Sequence, residues 1–228
     1  MTPDLCKFPS TPHIGWLSNQ PVRGDKILSP SEVHELLSNR VQIEEKIDGA
    51  NLGISVGPDG KLRFQNRGNW LEGKLTGQWT RLRGWAAARE IRLREHLPEN
   101  HVLFGEWCYA KHSIEYDHLP DWFLAFDVYD CFSGRFWSSA RRDGLLRQME
   151  ISPVPSIACG RYTLFQLGQM LENSSAYGSS SREGIYLRRE HGDWLVSRAK
   201  LIRPEFVQQI SEHWSKGPIH SNRLAGAV

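Results

Sequence analysis

The sequence has no apolar run approaching the roughly 20 residues that span a bilayer. Its opening, MTPDLCKFPSTPHIGW, lacks the basic-then-apolar order of a secretory signal. Both absences predict a cytoplasmic protein with no membrane partner. Cysteine is scarce: Cys6, Cys108, Cys131 and Cys159 lie far apart, and no CxxC pair occurs. That spacing argues against a zinc site and against a disulfide framework, and fits a reducing compartment. There are no internal repeats, and low complexity is confined to the serine cluster at 179–181. The net charge of +2 is too small to announce a nucleic-acid binder by composition alone.

What remains is an ordinary globular composition, 39% hydrophobic and 24% charged, in a chain long enough to bury a sizeable core. Positive charge is unevenly spread. TRLRGWAAAREIRLREHL carries Arg81, Arg83, Arg89, Arg92 and Arg94 within one helical pattern. Such a row is either a solvated helix face, since arginine favours helices, or a surface that contacts phosphates.

Residues 1–30 read as an irregular lead-in punctuated by Pro3, Pro9, Pro12, Pro21 and Pro30. SPSEVHELLSNR has a serine cap, a proline and an early Glu32, and predicts a short helix. NLGISV and KLRFQN flank GPDG as a hairpin, and residues 77–97 predict one helix with Trp79, Leu82, Ala86, Leu93 and Leu97 on one side. HVLFGEWCYA, DWFLAFDVYD and RFWSS predict strands; RDGLLRQME and TLFQLGQMLEN predict helices. REGIYLRR and DWLVSRAKLI pair across EHG, and EFVQQISEHW closes the chain as a helix. Strands joined mostly by tight turns predict an α+β fold of mainly antiparallel sheets with flanking helices, in a single domain over 1–228.

The chemistry centres on EEKIDGANLGISV, where Lys46 stands between acids and a glycine at the mouth of an alternating strand. Arg67 follows in FQNRGN, and a hairpin would return it to the neighbourhood of Lys46. Glu106 lies in LFGEW, Phe126 and Asp127 in FLAFDVYD, and Glu183 in REGIY. Arg198 and Lys200 share one face of the last strand because they are separated by one residue. Taken singly, Lys46 is a solvated lysine, Phe126 a core residue, Glu106 a strand end, and Glu183 with Arg198 a surface ion pair. Single readings of that kind leave the order of the set unexplained.

That order resembles the motif set of covalent nucleotidyltransferases, the superfamily of ATP-dependent ligases and capping enzymes. It is most similar to the RNA ligase branch of RNA ligase 2 type, in which Glu45 directly precedes the lysine and Asn51 follows it by five positions. TPHIGWL, CYAKHSIEYDHLP and RAKLIRPEF also look like phrases of that family, and the resemblance spans residues 7–206.

The resemblance implies an ATP-dependent ligase that joins RNA 3′-hydroxyl and 5′-phosphate ends through a lysyl-AMP and an adenylylated 5′ end. Lys46 would be the nucleophile. A lysine of ordinary pKa is neutral only about one part in a thousand at neutral pH, so the nucleophile must be depressed by desolvation or by nearby cations. Arg198, Lys200 and a metal ion would supply them. Glu45 would meet the adenine amino group, Phe126 would stack on the purine, and Arg67 would hold a phosphate of ATP or of the RNA 5′ end. Glu106 and Glu183 would serve the ribose and a Mg²⁺ or Mn²⁺ ion, and Asp48 would hold the lysine loop or help place the metal. Asn51 would act on the nucleic acid.

A nick-sealing DNA ligase, another nucleotidyltransferase, or a binding relative that has lost its chemistry are the alternatives. The sequence departs from the family at Arg198, where a lysine is usual; arginine is not an equivalent point charge. Residues 201–228 are too few for the C-terminal domain that many ligases append, so either the catalytic domain is minimal or a protein partner helps hold the RNA.

Overall fold

The computed structural model describes residues 5–15, 26–208 and 219–226. Two sheets organise them. The first has four strands in the order β10-β9-β1-β8, formed by Trp194–Ile202, Gly184–His191, Val41–Lys46 and Ser156–Gly160, all antiparallel. The second has the order β3-β2-β4-β5-β6, formed by Leu62–Gln65, Ala50–Val56, His101–Trp107, Phe123–Asp130 and Arg135–Phe136. A short β7, Ser152–Pro153, adds to β5 in parallel. The fold is α+β with mainly antiparallel sheets, as the density of tight turns predicts.

Alternation along the strands gives each sheet one helix-covered face. On the second sheet Leu52, Ile54, Leu103, Trp107, Phe123 and Ala125 pack against α2 (Leu82–Ala87), α3 (Glu90–His96) and α4 (Ser139–Met149). On the first, Val41, Ile43, Ile185, Leu187, Ala199 and Leu201 pack against α1 (Pro30–Leu37) and α5 (Leu164–Leu171). Reciprocal capping boxes, Ser29 with Glu32 and Thr163 with Gln166, satisfy the first amides of α1 and α5. The residues between, with period two, point into the space between the sheets.

Several elements differ from the sequence pattern. Residues 77–97 are not one helix but a 3₁₀ turn at Gly77–Trp79 followed by α2 and α3. Arg89 breaks the run with φ −121° and ψ 1°, and its guanidinium meets the Asp121 carboxylate at 2.8 Å while lying 4.8 Å from the Trp85 ring. Trp85 Nε1 donates to the same carboxylate at 2.9 Å, so one buried acid holds both sides of the break. The arginine row is thereby dispersed: Arg83 donates to the Gly73 carbonyl, Arg92 pairs with Glu150 and Arg94 with Glu90. Strand β4 stops at Trp107, RFWSS contributes only two strand residues, and β1 and β8 are strands that the pattern did not mark. Of the closing helix, Pro204–Gln208 forms α6; the rest of EFVQQISEHW lies outside the described residues, as do Pro3 and Pro21.

A buried charge network ties the sheets face to face. A bulge at Phe104/Gly105 interrupts the β4–β5 register, and Asp127 beside it receives Arg188 at 2.5 Å and Arg198 at 2.9 Å from the first sheet. Arg142 of α4 reaches Glu44 of β1 at 2.6 Å and also donates to the Phe126 carbonyl. Glu44→Ala would leave the buried Arg142 with only the half-buried Asp143 carboxylate beside it, which should cost about 3 kcal/mol. Denaturant unfolding of that variant measures the loss; an unchanged midpoint would show that the network is dispensable.

Candidate active site

The lysine loop is where the chain passes from one sheet to the other. Lys46 is the last residue of β1 and Ala50 the first of β2, so Ile47, Asp48 and Gly49 make the crossing. The crossing is tight, because a Cβ on Gly49 would stand 2.9 Å from the Trp107 carbonyl oxygen. It is pinned to the loop after β4: the Asp48 amide donates to the Tyr116 hydroxyl at 2.8 Å, and Asp48 Oδ2 accepts from the amides of Ser113 and Ile114. Of the two roles expected for Asp48, holding the loop is the one with a contact in the structure.

Lys46 and three other expected residues converge. The Lys46 ammonium lies 2.6 Å from Glu183 Oε2. Asn51 pairs with Glu106 across β2 and β4, which puts their side chains next to each other on the inter-sheet face. The glycines beside the two acids have a packing reason. A Cβ on Gly105 would stand 2.5 Å from the Leu124 carbonyl oxygen, and one on Gly184 2.4 Å from that of Leu201. Only glycine lets these strands bring Glu106 and Glu183 so close to Lys46.

The electrostatics reverse one expectation. Burial lowers the Lys46 pKa, but Glu183, Glu106 and Tyr186 raise it further, and the net shift is upward. Without nucleotide, Lys46 is therefore an ammonium and not a depressed nucleophile. Burial pushes Glu106 up to about 8, against the pull of Lys46, and pushes Glu183 up to about 7. Glu106 and Glu183 crowd the one Lys46 ammonium, while Arg67 and Lys200 add weaker positive fields to Glu106 and Glu183 respectively.

Several acceptors stand ready for a ligand. Glu45 Oε1, Asn51 Oδ1 and Glu106 Oε2 are buried and make no hydrogen bond. Glu45 is 1% exposed, and its other oxygen accepts from the Ala176 amide at 2.9 Å. An orphaned carboxylate oxygen within a surplus of negative charge fits a hard divalent cation. Among the described residues no group of three His, Cys, Asp or Glu side chains could hold such an ion unaided. Glu106 and Glu183 would supply two oxygens, leaving the rest to phosphate and water, which is how Mg²⁺ commonly binds.

Arg67, exposed beyond the end of β3, acts electrostatically on Glu106. Lys200 faces Tyr186 in the β10–β9 register and pulls Glu183 downward. Arg198 is placed differently from its expected role. Its guanidinium is committed to Asp127 at 2.9 Å and to the Pro9 carbonyl at 2.6 Å, and it lies over the rings of Phe136 and Phe8. Phe126 is 7% exposed, with Phe8 edge-on at 5.3 Å, so in this state no face of it is open to a purine. Tyr186, Tyr116 and His112 belong to the same neighbourhood and were missed. Tyr186 raises the Lys46 pKa, Tyr116 holds the loop, and the field of Asp48 and Lys46 reaches His112. Only their place inside quoted phrases could have marked them.

A family model described as RNA ligase matches residues 39–202. No curated protein matches the sequence. Among solved structures, Naegleria gruberi RNA ligase with PPi superposes with a TM-score of 0.62 at 19% identity, over 78% of this chain and 54% of that one. A lysine variant of the same enzyme with AMP and Mn gives 0.62 at 20%, over 78% and 54%. Another with ATP and Mn gives 0.59 at 19%, over 78% and 53%. At these identities the likeness shows the fold, and this chain spans about half the length of the chains it matches.

The raised carboxyl groups set a pH dependence. A carboxyl whose folded pKa exceeds its ordinary 4.5 makes the folded state bind more protons than the unfolded one. Its contribution to stability is present below that ordinary value and lost as pH rises through about 7 for Glu183 and about 8 for Glu106. The protein without ligand should thus lose stability between about pH 4.5 and pH 8, and Glu106→Gln should flatten that slope, most of all in its upper part. Denaturant midpoints across that range decide it; equal slopes in both proteins would contradict the assignment.

Proposed function

This chain belongs to the RNA ligase family, and on that premise we propose that it is an ATP-dependent polynucleotide ligase that seals RNA. The observation that carries the reading is Lys46, held 2.6 Å from Glu183 among buried acceptors that lack partners. In the first step the Lys46 ammonium loses a proton to solvent, its Nζ attacks the α-phosphorus of ATP, a P–N bond forms, pyrophosphate leaves, and a second proton passes from the nitrogen to solvent. In the second, an RNA 5′-phosphate oxygen takes the AMP and the P–N bond breaks. In the third, a 3′-hydroxyl attacks that 5′-phosphate, and AMP departs with the bridging oxygen.

The residues divide these tasks. Glu45 Oε1, the free oxygen of a fixed carboxylate, accepts from the adenine amino group. Glu106 and Glu183 serve the ribose and would hold a Mg²⁺ or Mn²⁺ ion, whose charge would offset the phosphates and the carboxylate field that keeps Lys46 protonated. Lys200 neutralises phosphate from the last strand, and Arg67 reaches it from the β3 end. Asn51, beside Glu106, contacts the RNA. Arg198 supports the site through Asp127. A DNA-nick ligase or a related nucleotidyltransferase would share the first step, whereas a binding relative would lack it.

Incubation with α-labelled ATP and Mn²⁺, then a denaturing gel, should label the protein, and Lys46→Ala should not label at all. An adduct of equal yield on that variant would remove Lys46 from the chemistry. The steps separate further: Asn51→Ala should label normally but join a nicked RNA duplex poorly, while Glu183→Ala should fail at both. Loss of labelling in Asn51→Ala as severe as in Glu183→Ala would redraw this division.

A further inference from the structure

The N-terminal segment 5–15 crosses between the two sheets at the cleft. At one end the Cys6 carbonyl accepts from Gln65 Nε2 of β3 at 2.8 Å, and Phe8 packs on Phe104, Phe126 and Phe136. At the other, Pro9 is held by Arg198, while the Pro12 carbonyl and the Ile14 amide pair with the backbone of Lys200. This strap covers Phe126 and touches both residues of the final basic pair. To the Gln65 hydrogen bond and the phenylalanine contacts with the second sheet a sulfur contact is added. The Cys131 thiol, exposed in the β5–β6 turn, lies 2.9 Å from the half-buried Cys6 sulfur.

We propose that Cys6 and Cys131 form a reversible disulfide that fastens this strap over the Lys46 cleft and slows nucleotide entry, a regulatory role that rests on the ligase reading of that cleft. The sulfurs at 2.9 Å need to close by only about 0.9 Å to bond. A cavity of about 300 Å³ beside them, lined by both cysteines, Gln65, His101 and Val102, gives a small disulfide reagent access. The Cys131 hydrogen bond lowers the Cys6 pKa, which favours its thiolate as the attacking group. The Cys6 thiolate displaces one thiolate from glutathione disulfide, giving a mixed disulfide. Cys131 then loses its proton, attacks the Cys6 sulfur and expels the second glutathione thiolate. Two protein thiols are oxidised, one glutathione disulfide is reduced to two glutathione molecules, and no other co-reactant is needed.

The strap matters because it competes with the base. A purine stacking on Phe126 needs the face that Phe8 now occupies, so entry requires Phe8 to lift. With Cys6 tied to the β5–β6 turn, that movement is restricted two residues away. Reduced protein retains it.

The test treats the full chain with glutathione disulfide, maps the cysteines by peptide mass, and measures labelling from α-labelled ATP. The expected result is a Cys6–Cys131 cross-link, labelling slowed about tenfold or more, and recovery with dithiothreitol. Cys131→Ser and Cys6→Ser should label at the reduced rate and ignore the oxidant. Failure to form the cross-link, arrest at a glutathione adduct, or a cross-linked protein that labels at the reduced rate would each overturn the proposal. If reduced protein does not label at all, the ligase reading falls, while the peptide map still decides separately whether the thiols pair.

Discussion

Asp127 is the carboxylate on which the facing of the two sheets depends. It projects from β5 at a bulge, and two guanidinium groups of the first sheet, Arg188 and Arg198, close on it at 2.5 and 2.9 Å. Arg188 also donates to Glu190 and to the Trp137 carbonyl, so most of its donors are satisfied in a buried site. Such a network adds little net stability compared with apolar packing, but breaking it leaves uncompensated charge. What it contributes is a fixed relation between the two sheets, which apolar contact by itself does not orient. Lys46 belongs to one sheet, Asn51 and Glu106 to the other, and their juxtaposition needs that relation.

Within the cleft the balance of charge runs against Lys46 as a nucleophile. A lysine surrounded by buried carboxylates gains more from their field than it loses by burial, and it keeps its proton. The same crowding makes Glu106 and Glu183 reluctant to ionise together. Under the proposed function such a site is at rest when empty, and a polyanion with its counter-cation is the ligand that would relieve it. Rest and reactivity are then two charge states of one geometry.

Arg198 links that geometry to the N-terminal strap. A lysine could give Asp127 a point charge, but the planar fork of arginine reaches Asp127 and the Pro9 carbonyl together and still lies over Phe8 and Phe136. The family's usual lysine is thus replaced by a residue that joins the inter-sheet network to the segment covering Phe126.

The sequence by itself determined the class of fold. Period-two runs broken by tight turns mark antiparallel strands, and the motif order named Lys46, Asn51, Glu106 and Glu183, which lie together in the folded chain. That Gly105 and Gly184 stand where a side chain would strike a carbonyl shows only in the folded chain. Tertiary structure decided everything that depends on distance between remote segments. The helical pattern over 77–97 could not disclose that Asp121 would stop the run at Arg89. Nor could a strand reveal that Arg198 points at Asp127, that Phe8 covers Phe126, or that Cys6 and Cys131, 125 residues apart, sit sulfur to sulfur. The protonation of Lys46 is of the same kind, because a pKa is set by the field of every nearby group, and those groups come from β4, β9 and the residue before β9. Residue type supplies the chemistry, but only the folded chain supplies the field in which it operates.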